Sequence, residues 1–207
     1  MTKHYVMCID LQLCIGCNTC TVACKQENNL PNGVSWTRIV SLKGGGDDTS
    51  FGEYPNLILD HLPLACQQCE NCPCIEICPS TATYKRTEDG LILQDPSQCI
   101  GCRYCMIVCP YTSVRVYSSE NLKYSIRYAT GNNPLIHRSK TVEKCTFCAH
   151  RLAKGLIPAC VESCALSARI FGDLNDPESE VTRVLRTRPY FQLLVEKGTR
   201  PSVYYLV

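Results

Sequence analysis

The sequence has little of several features that usually point to a function. Only 8% of its 207 residues are aromatic, and no apolar run approaches the roughly 18 residues that a membrane helix needs. Its 21 basic and 19 acidic residues nearly cancel, without a long basic run, so nothing indicates a nucleic-acid surface. The start of the chain lacks an apolar core of signal-peptide length. We therefore expect no export signal in the chain and no insertion into a bilayer by the chain alone.

Common catalytic motifs are also missing. The sequence contains no nucleophile elbow, no glycine-rich phosphate loop and no Rossmann signature, so we expect no catalytic residue. The hydrophobic fraction of 45% counts cysteine, and without cysteine the apolar material is small for this length. Such a fold needs another source of stability. Metal-bound thiolates would supply it, because the free energy of metal binding becomes free energy of folding.

Cysteine is the residue that the sequence has in excess, with 18 copies. Sixteen of them form four runs, numbered run 1 to run 4 along the chain: Cys14, Cys17, Cys20 and Cys24; Cys66, Cys69, Cys74 and Cys78; Cys99, Cys102, Cys105 and Cys109; and Cys145, Cys148, Cys160 and Cys164. Runs 1 and 3 have the bacterial ferredoxin spacing C-x2-C-x2-C-x3-C, and Pro110 completes the CP signature of run 3. Sixteen thiolates suffice for four [4Fe–4S] clusters with four ligands each, so the runs predict an electron carrier.

The runs repeat one another in sequence as well as in spacing. The segment CIGC at residues 14–17 recurs at residues 99–102, which predicts a duplicated ferredoxin unit. In a ferredoxin pair, the fourth cysteine of each run ligates the cluster of the other run. Only 20 residues separate runs 2 and 3, so these two runs form one pair. The rule then assigns cluster 2 to Cys66, Cys69, Cys74 and Cys109, and cluster 3 to Cys78, Cys99, Cys102 and Cys105.

Periodicity predicts a coarse secondary structure. Short strands or extended segments are predicted at residues 5–9, 35–42, 57–59 and 202–207. Residues 17–25 predict a turn and a short helix, and residues 82–85 and 91–93 predict a hairpin. Asp176 and Pro177 predict the start of a later helix, as N-cap and first helical residue. Its apolar stripe is Val181, Val184 and Leu185.

Several segments, some of them outside the runs, resemble one protein family. They lie at residues 23–28, 53–57, 143–152, 158–164, 171–174 and 198–201, the third of which reads EKCTFCAHRL. Together with the runs they are similar to the four-cluster iron–sulfur subunit of the molybdopterin oxidoreductase, or dimethyl-sulfoxide reductase, family. The resemblance covers nearly the whole chain. It is closest to the branch of polysulfide, thiosulfate, tetrathionate and arsenate reductases.

The resemblance implies a fold and the remaining ligands. The fold is α+β, with two bacterial-ferredoxin-like modules related by pseudo-symmetry, loop insertions and a C-terminal arm. By the family pattern and by elimination, cluster 1 takes Cys14, Cys17, Cys20 and Cys164, and cluster 4 takes Cys24, Cys145, Cys148 and Cys160. The outer module comprises residues 1–42 with 142–175 and the central module residues 60–115; residues 43–59 and 116–141 are insertions, and residues 176–207 form a C-terminal helix and docking arm.

The resemblance also implies partners. In that family the subunit lies between a molybdopterin catalytic subunit, containing molybdenum or tungsten, and usually an integral-membrane subunit that reacts with quinone. This implies electron transport in an anaerobic respiratory reductase at a membrane, on the periplasmic face after export with the catalytic subunit, or on the cytoplasmic face. The alternative complex is a formate dehydrogenase or a hydrogenase. A zinc-binding interaction module and a disulfide-stapled protein are the alternatives without redox function, and the repeated run spacing favours clusters over both.

Single positions refine these expectations. Relatives in the nitrate reductase branch have tryptophan at the position of Cys102 and hold a three-iron cluster there, so cysteine predicts four full cubanes. Cys8 is expected to be a small buried hydrophobic residue. Cys72, where relatives usually have proline, is not expected to be a ligand. His150 is expected to have a structural role near a cluster, with a hydrogen bond that tunes its potential, and not to ligate it. Three cations beside the runs are expected to be solvated, the alternative being that they raise cluster potentials through their charge: Lys25, Arg103 and Lys144.

Overall fold

The structure is a computed structural model that describes residues 2–41, 49–124 and 137–207. Its strands are β1 (Tyr5–Asp10), β2 (Thr37–Val40), β3 (Leu62–Ala65), β4 (Thr83–Lys85), β5 (Ile92–Gln94), β6 (Arg115–Tyr117), β7 (Val142–Lys144), β8 (Arg169–Asp173), β9 (Tyr190–Phe191) and β10 (Val203–Leu206). Its α-helices are α1 (Thr19–Glu27), α2 (Pro73–Glu76), α3 (Tyr104–Ile107), α4 (Ala149–Leu152), α5 (Ala159–Glu162) and α6 (Glu180–Thr187). The expected mixture of helices and strands is confirmed. Residues 1, 42–48 and 125–136, which include parts of both predicted insertions, lie outside the described residues.

A four-stranded sheet joins the two ends of the chain, with the strand order β8-β1-β10-β9. β1 is antiparallel to β8 and parallel to β10. Because side chains alternate along a strand, Met7 and Ile9 pack with Tyr205 on one face, and Val6 and Cys8 pack on the other. The predicted first and last strands are therefore confirmed, and β10 is an interior strand of the sheet.

Helix α6 covers the second face of this sheet. Its predicted apolar stripe packs there with Cys8, which is 0% exposed. Burial raises the pKa of the Cys8 thiol to about 12, so the expectation of a small buried hydrophobic residue is confirmed. The predicted helix start is wrong, since α6 begins at Glu180. The Asp176 carboxylate instead accepts a hydrogen bond from the backbone nitrogen of Glu178 (2.9 Å) and forms a turn before the helix.

The smaller sheets are two-stranded: β2 with β3, β4 with β5, and β6 with β7. β4 and β5 form the predicted hairpin, and β2 lies within the segment predicted to be extended. The strand predicted at residues 57–59 is wrong, because Ile58 forms only an isolated bridge and the three side chains remain about half exposed. The strand lies at β3, where Leu62 and Leu64 are buried and pair with β2.

Every α-helix of the described ranges except α6 lies within or directly beside a cysteine run. The helix predicted after run 1 is confirmed as α1, and α2 to α5 are single turns. None of the helices in the described ranges has the length and apolar character that crossing a bilayer requires. Helices α1, α2, α3 and α5 contain run cysteines, and α4 begins directly after Cys148.

Candidate metal centres

The two CIGC loops adopt the same backbone conformation. Gly16 and Gly101 both have a φ of +70°, and the residues after the second cysteine, Asn18 and Arg103, have φ of 60° and 64°. Helices α1 and α3 begin directly after these two residues. A Cβ atom at Gly101 would overlap the carbonyl oxygen of Lys140, so only glycine lets the loop close this tightly. The repeated sequence builds a repeated thiol-bearing turn.

Three of the four predicted ligand sets each line one cavity. The cluster 1 set (Cys14, Cys17, Cys20 and Cys164) lines a cavity of about 190 Å³. The cluster 2 set (Cys66, Cys69, Cys74 and Cys109) lines a second cavity, and the cluster 4 set (Cys24, Cys145, Cys148 and Cys160) lines a third. Each cavity combines cysteines of two runs, as the ferredoxin rule requires. The assignment of individual cysteines to clusters stays a prediction.

The cluster 3 set has the same mixture of exposure as the cluster 1 set. Its members are exposed (Cys102), half-buried (Cys78 and Cys99) and buried (Cys105). Gln94 donates from Nε2 to the Cys99 sulfur at 3.3 Å. Among the run cysteines, Cys17 is the other exposed one. The second cysteine of each CIGC loop therefore faces solvent.

Burial controls the acidity of the inner thiols. Desolvation raises the pKa of Cys148 to about 11 and that of Cys69 to about 12, and neighbouring thiols add to the effect. The pKa of Cys24 is raised in the same way. Because the thiolate is the form that binds metal, these sites hold protons until a metal displaces them. In the described ranges, no three His, Cys, Asp or Glu side chains are placed to hold a single metal ion; the thiols instead surround the cavities.

Cys72 lies among the cluster 2 thiols as a hydrogen-bonding group. Its thiol donates to the carbonyl oxygen of Cys69 at 2.5 Å. The side-chain contact with Cys74 raises the pKa of Cys72, and the same contact lowers the pKa of Cys74. Cys72 therefore keeps its proton more readily than Cys74 does, in keeping with the expectation that it is not a ligand.

Three cations are buried close to the thiols: Lys144, Arg115 and Arg169 are 1%, 3% and 5% exposed. None of them forms an ion pair with a carboxylate of the described residues. Buried charges normally have an opposite charge nearby, and a cluster with four thiolate ligands is net anionic. The residues present therefore fit [4Fe–4S] clusters. The expectation that Lys144 is solvated is wrong, because its Nζ donates to the carbonyl oxygen of Cys145 at 3.0 Å.

The other residues beside the runs have identifiable partners. Lys25 is half-buried and donates to two backbone carbonyls just beyond α1, so the expectation that it is solvated is wrong. Arg103 is exposed, as expected, with its guanidinium 3.7 Å from the centre of the Tyr117 ring. His150 lies 2.8 Å from the Glu27 carboxylate and joins α4 to α1. This contact agrees with the structural role expected for His150.

The sequence did not reveal several polar residues that contact the thiols. Asn28 donates from Nδ2 to the Cys24 sulfur at 3.5 Å, and Arg169 donates from Nη2 to the Cys20 sulfur at 3.4 Å. Asn28 lies one helical turn after Cys24, so helical spacing could have indicated it. No such signal exists for Arg169, because an arginine within a strand ordinarily indicates a position that faces solvent.

Comparison with known proteins identifies relatives along nearly the whole chain. A 4Fe-4S dicluster domain matches residues 57–126 and 132–174, just over half of the sequence. A Halobacterium salinarum protein, provisionally named as a dimethyl sulfoxide reductase iron–sulfur subunit, is 45% identical over 98% of this chain and 79% of its own. The arsenate respiratory reductase iron–sulfur subunit of Shewanella sp. is 38% identical over 97% and 94%. A tetrathionate reductase subunit of Salmonella typhimurium is 40% identical over 98% and 72%.

These matches confirm three expectations. The fold contains ferredoxin-like dicluster domains, the cofactors are [4Fe–4S] clusters, and the chain is an electron-transfer subunit and not the catalytic one. The match with arsenate and tetrathionate reductase subunits also agrees with the resemblance seen in the sequence. The chain belongs to the family of iron–sulfur subunits of the dimethyl sulfoxide, arsenate and tetrathionate reductases.

Proposed function

We propose that the chain carries four [4Fe–4S] clusters and relays electrons between a molybdopterin catalytic subunit and a quinone-reactive membrane subunit of an anaerobic respiratory reductase. The observation that carries this proposal is the gathering of three predicted ligand sets, each around its own cavity. The four sets of run cysteines would hold the clusters, which would supply one-electron transfer when bound. The chain supplies the thiolates, six of which are buried among the described residues: Cys20, Cys24, Cys66, Cys105, Cys148 and Cys160.

We further propose that the two modules are related by duplication. The equal φ angles of the two CIGC loops support this relation. Pairing of β1 with β8 supports an outer module of residues 1–42 with 142–175, and the β4–β5 hairpin supports a central module of residues 60–115. Cluster 1 and cluster 4 then belong to the outer module, and cluster 2 and cluster 3 to the central one.

The exposed turns suggest where the two partners bind. Cys17 and Cys102 are the exposed run cysteines, and each has an exposed isoleucine two residues before it, Ile15 (63%) and Ile100 (67%). Apolar surface beside an exposed ligand suits a protein contact across which electrons pass. We assign one turn to each partner, with the complex on the periplasmic face if it is exported together with its catalytic subunit. The Shewanella relative, named as a subunit of a respiratory reductase, supports a respiratory complex.

Iron analysis tests the cofactor content. Protein prepared anaerobically should contain about sixteen iron atoms and as many sulfides, since four cubanes hold four of each. Much lower iron, or zinc in its place, would overturn the proposal. Copurification followed by mass spectrometry tests the partner: a molybdopterin reductase supports the proposal, whereas a nickel–iron or formate-oxidising subunit favours the alternative complex.

Paired substitutions test the ligand sets. Cys14→Ser and Cys164→Ser should remove the same electron paramagnetic resonance signal, because both residues are assigned to cluster 1. Cys24→Ser should remove a different signal, although Cys24 lies in the same run as Cys14. Loss of one common signal from Cys14→Ser and Cys24→Ser would show that the crossed pairing is wrong.

A further inference from the structure

We infer that Arg169 and Arg115 set the reduction potentials of the clusters, each as a single buried cation that two clusters of one module share. The inference rests on the proposed function, because it requires bound clusters. Both are positioning residues: they act on the cluster ligands through charge and hydrogen bonds. Each raises the potentials of its two clusters together.

Arg169 lies between the thiols assigned to cluster 1 and those assigned to cluster 4. Its side chain lines both of these cavities. Nη2 is 3.4 Å from the Cys20 sulfur of cluster 1, and Nη1 is 4.0 Å from the Cys160 sulfur of cluster 4. Nη1 also lies 3.3 Å from the Met7 sulfur. The two ends of one planar guanidinium therefore point toward ligands of two different clusters.

The fold fixes this position from several sides. Arg169 is the first residue of β8 and pairs with Ile9 of β1, which directs its side chain to the face where α1 and α5 lie. Cys20 belongs to α1 and Cys160 to α5, and these two helices contact each other. Arg169 is 5% exposed, so it cannot exchange these sulfur partners for water.

Arg115 has the equivalent position in the central module. It is the first residue of β6, is 3% exposed, and lines the cavity of the cluster 2 thiols. Among these thiols its charge acts most strongly on Cys74 and Cys66, and it also acts on Cys105 of the cluster 3 set. Cys74 and Cys105 are the third cysteines of runs 2 and 3. Cys20 and Cys160, the sulfurs near Arg169, are the third cysteines of runs 1 and 4. Each arginine therefore acts on the third cysteine of two runs.

The side-chain amide of Gln94 links Arg115 to a second predicted ligand of cluster 3. Its Nη1 donates to the Gln94 side-chain oxygen at 3.0 Å, and Gln94 donates onward to the Cys99 sulfur at 3.3 Å. The other terminal nitrogen of Arg115, Nη2, is buried and has no hydrogen-bond partner among the described residues. A buried guanidinium with an unpaired nitrogen requires an anion beside it.

The electrostatic consequence has a definite sign. Reduction adds an electron to an anionic site, and no proton is required. A fixed positive charge in a water-poor interior stabilises that added charge more strongly than it would at the surface. Nearby charge is one of the determinants of cluster potentials. Because each arginine faces two ligand sets, its removal lowers two potentials at once.

The test is a redox titration of the intact complex with dithionite, followed by electron paramagnetic resonance. Arg169→Gln should lower two of the four midpoint potentials, and Arg115→Gln should lower the other two. Arg186→Gln, at an exposed position of α6, is the matched control and should change none. The inference is overturned if either variant shifts one cluster or none, or if the two variants shift the same pair.

Lysine variants separate charge from geometry. Arg169→Lys retains one positive charge but has a single nitrogen, which cannot span two sulfurs, so we expect it to lower only one potential of the pair. If Arg169→Gln fails to bind iron, Arg115→Gln decides: two lowered potentials support the inference, and unshifted potentials overturn it. A wild-type complex without clusters would instead overturn the proposed function, so the two failures are distinguishable.

Discussion

At the residue scale, similar neighbours give the thiols different roles. Cys72 and Cys74 both line the cluster 2 cavity, yet the Cys72 thiol donates to a backbone oxygen while contact with Cys72 lowers the pKa of Cys74. Cys72→Ser should leave the iron content unchanged, because serine can make the same donation. Cys74→Ser, the matched variant, should lose about four irons, since one cubane loses a ligand. Loss of iron from Cys72→Ser would show that Cys72 is a ligand.

A buried histidine gives the stability of the protein a dependence on pH. His137 Nδ1 lies 2.8 Å from the Glu143 carboxylate, and Nε2 lies 2.7 Å from the carbonyl oxygen of Asn28. Burial alone would lower the pKa of His137, but the hydrogen bond and charge of Glu143 raise it overall. A raised pKa means that the charged form stabilises the fold fully below the unfolded value of about 6.5 and that this contribution disappears as pH rises through the folded value.

His137→Gln should therefore cost about 1–3 kcal/mol near pH 6, as expected for a hydrogen bond to a charged group, and progressively less at higher pH. Thermal unfolding of the anaerobic protein between pH 6 and pH 8 measures this. Lys140→Gln is the control, because the Lys140–Glu120 pair is exposed (61% and 71%) and should contribute under about 1 kcal/mol at every pH. Equal pH slopes for wild type and His137→Gln would contradict the prediction.

The sequence indicates candidate ligands but not their surroundings. Ferredoxin spacing is a local pattern that runs 1 and 3 show in full, and the sixteen run cysteines stay predicted ligands. Arg115 and Lys144 could not be recognised as buried residues, because a charged residue is almost always near water. Their burial is compensated by the negative charge of the clusters, and the sequence indicates the clusters only through the cysteines. Polar contacts such as Gln94 with Cys99 depend on tertiary structure in the same way.

At the element scale, apolar composition and turn signals predicted several strands. β1 and β10 are apolar segments that are packed on both faces, and β4 and β5 flank a turn. The segment at residues 57–59 is as apolar as β3, and only the pairing of β3 with β2 distinguishes them. Local composition cannot reveal which of two neighbouring apolar segments finds a partner. The predicted start of α6 is wrong for a related reason. The sequence around Asp176 is equally compatible with a helix cap and with a turn, and the structure has the turn.

The tight turn between β5 and α3 allows a matched test of backbone conformation. Gly101 and Gly155 both have left-handed φ, +70° and +73°, but only Gly101 has a neighbour that an added Cβ would overlap among the described residues. Gly155→Ala should cost about 1–2 kcal/mol, the usual cost of a left-handed alanine, with full iron content. Gly101→Ala should also lose about four irons, because its turn carries ligands of one cubane.

Iron analysis and thermal unfolding of the two glycine variants separate the effects. If both variants lose the same stability and keep their full iron content, backbone conformation alone matters, and the carbonyl of Lys140 moves away from the added Cβ atom. Iron loss confined to Gly101→Ala would show that the close approach of this turn is needed to hold the thiols in place.

At the scale of the whole molecule, the fold brings together segments from the two ends of the chain. β1 and β10 are neighbours in one sheet, and the cysteines of runs 1 and 4 line common cavities. The segment before β10 also pairs with run 2, where the backbone nitrogens of Glu70 and Asn71 donate to the carbonyls of Arg200 and Thr199. The fold therefore depends on contacts that are distant in sequence, and several of these bring cysteine runs together.

Removing the metal should consequently unfold the protein. The single tryptophan, Trp36, is 8% exposed and lines the cavity of the cluster 4 thiols, so it reports on this region. Without clusters the three buried cations lose their counter-charge, and an uncompensated buried charge costs several kcal/mol. Anaerobic iron chelation should shift Trp36 emission to longer wavelength and enlarge the hydrodynamic radius, and added iron and sulfide should reverse both changes. If Trp36 emission becomes brighter without a shift in wavelength and the hydrodynamic radius stays constant, the apolar core alone maintains the fold and the clusters do not contribute to it.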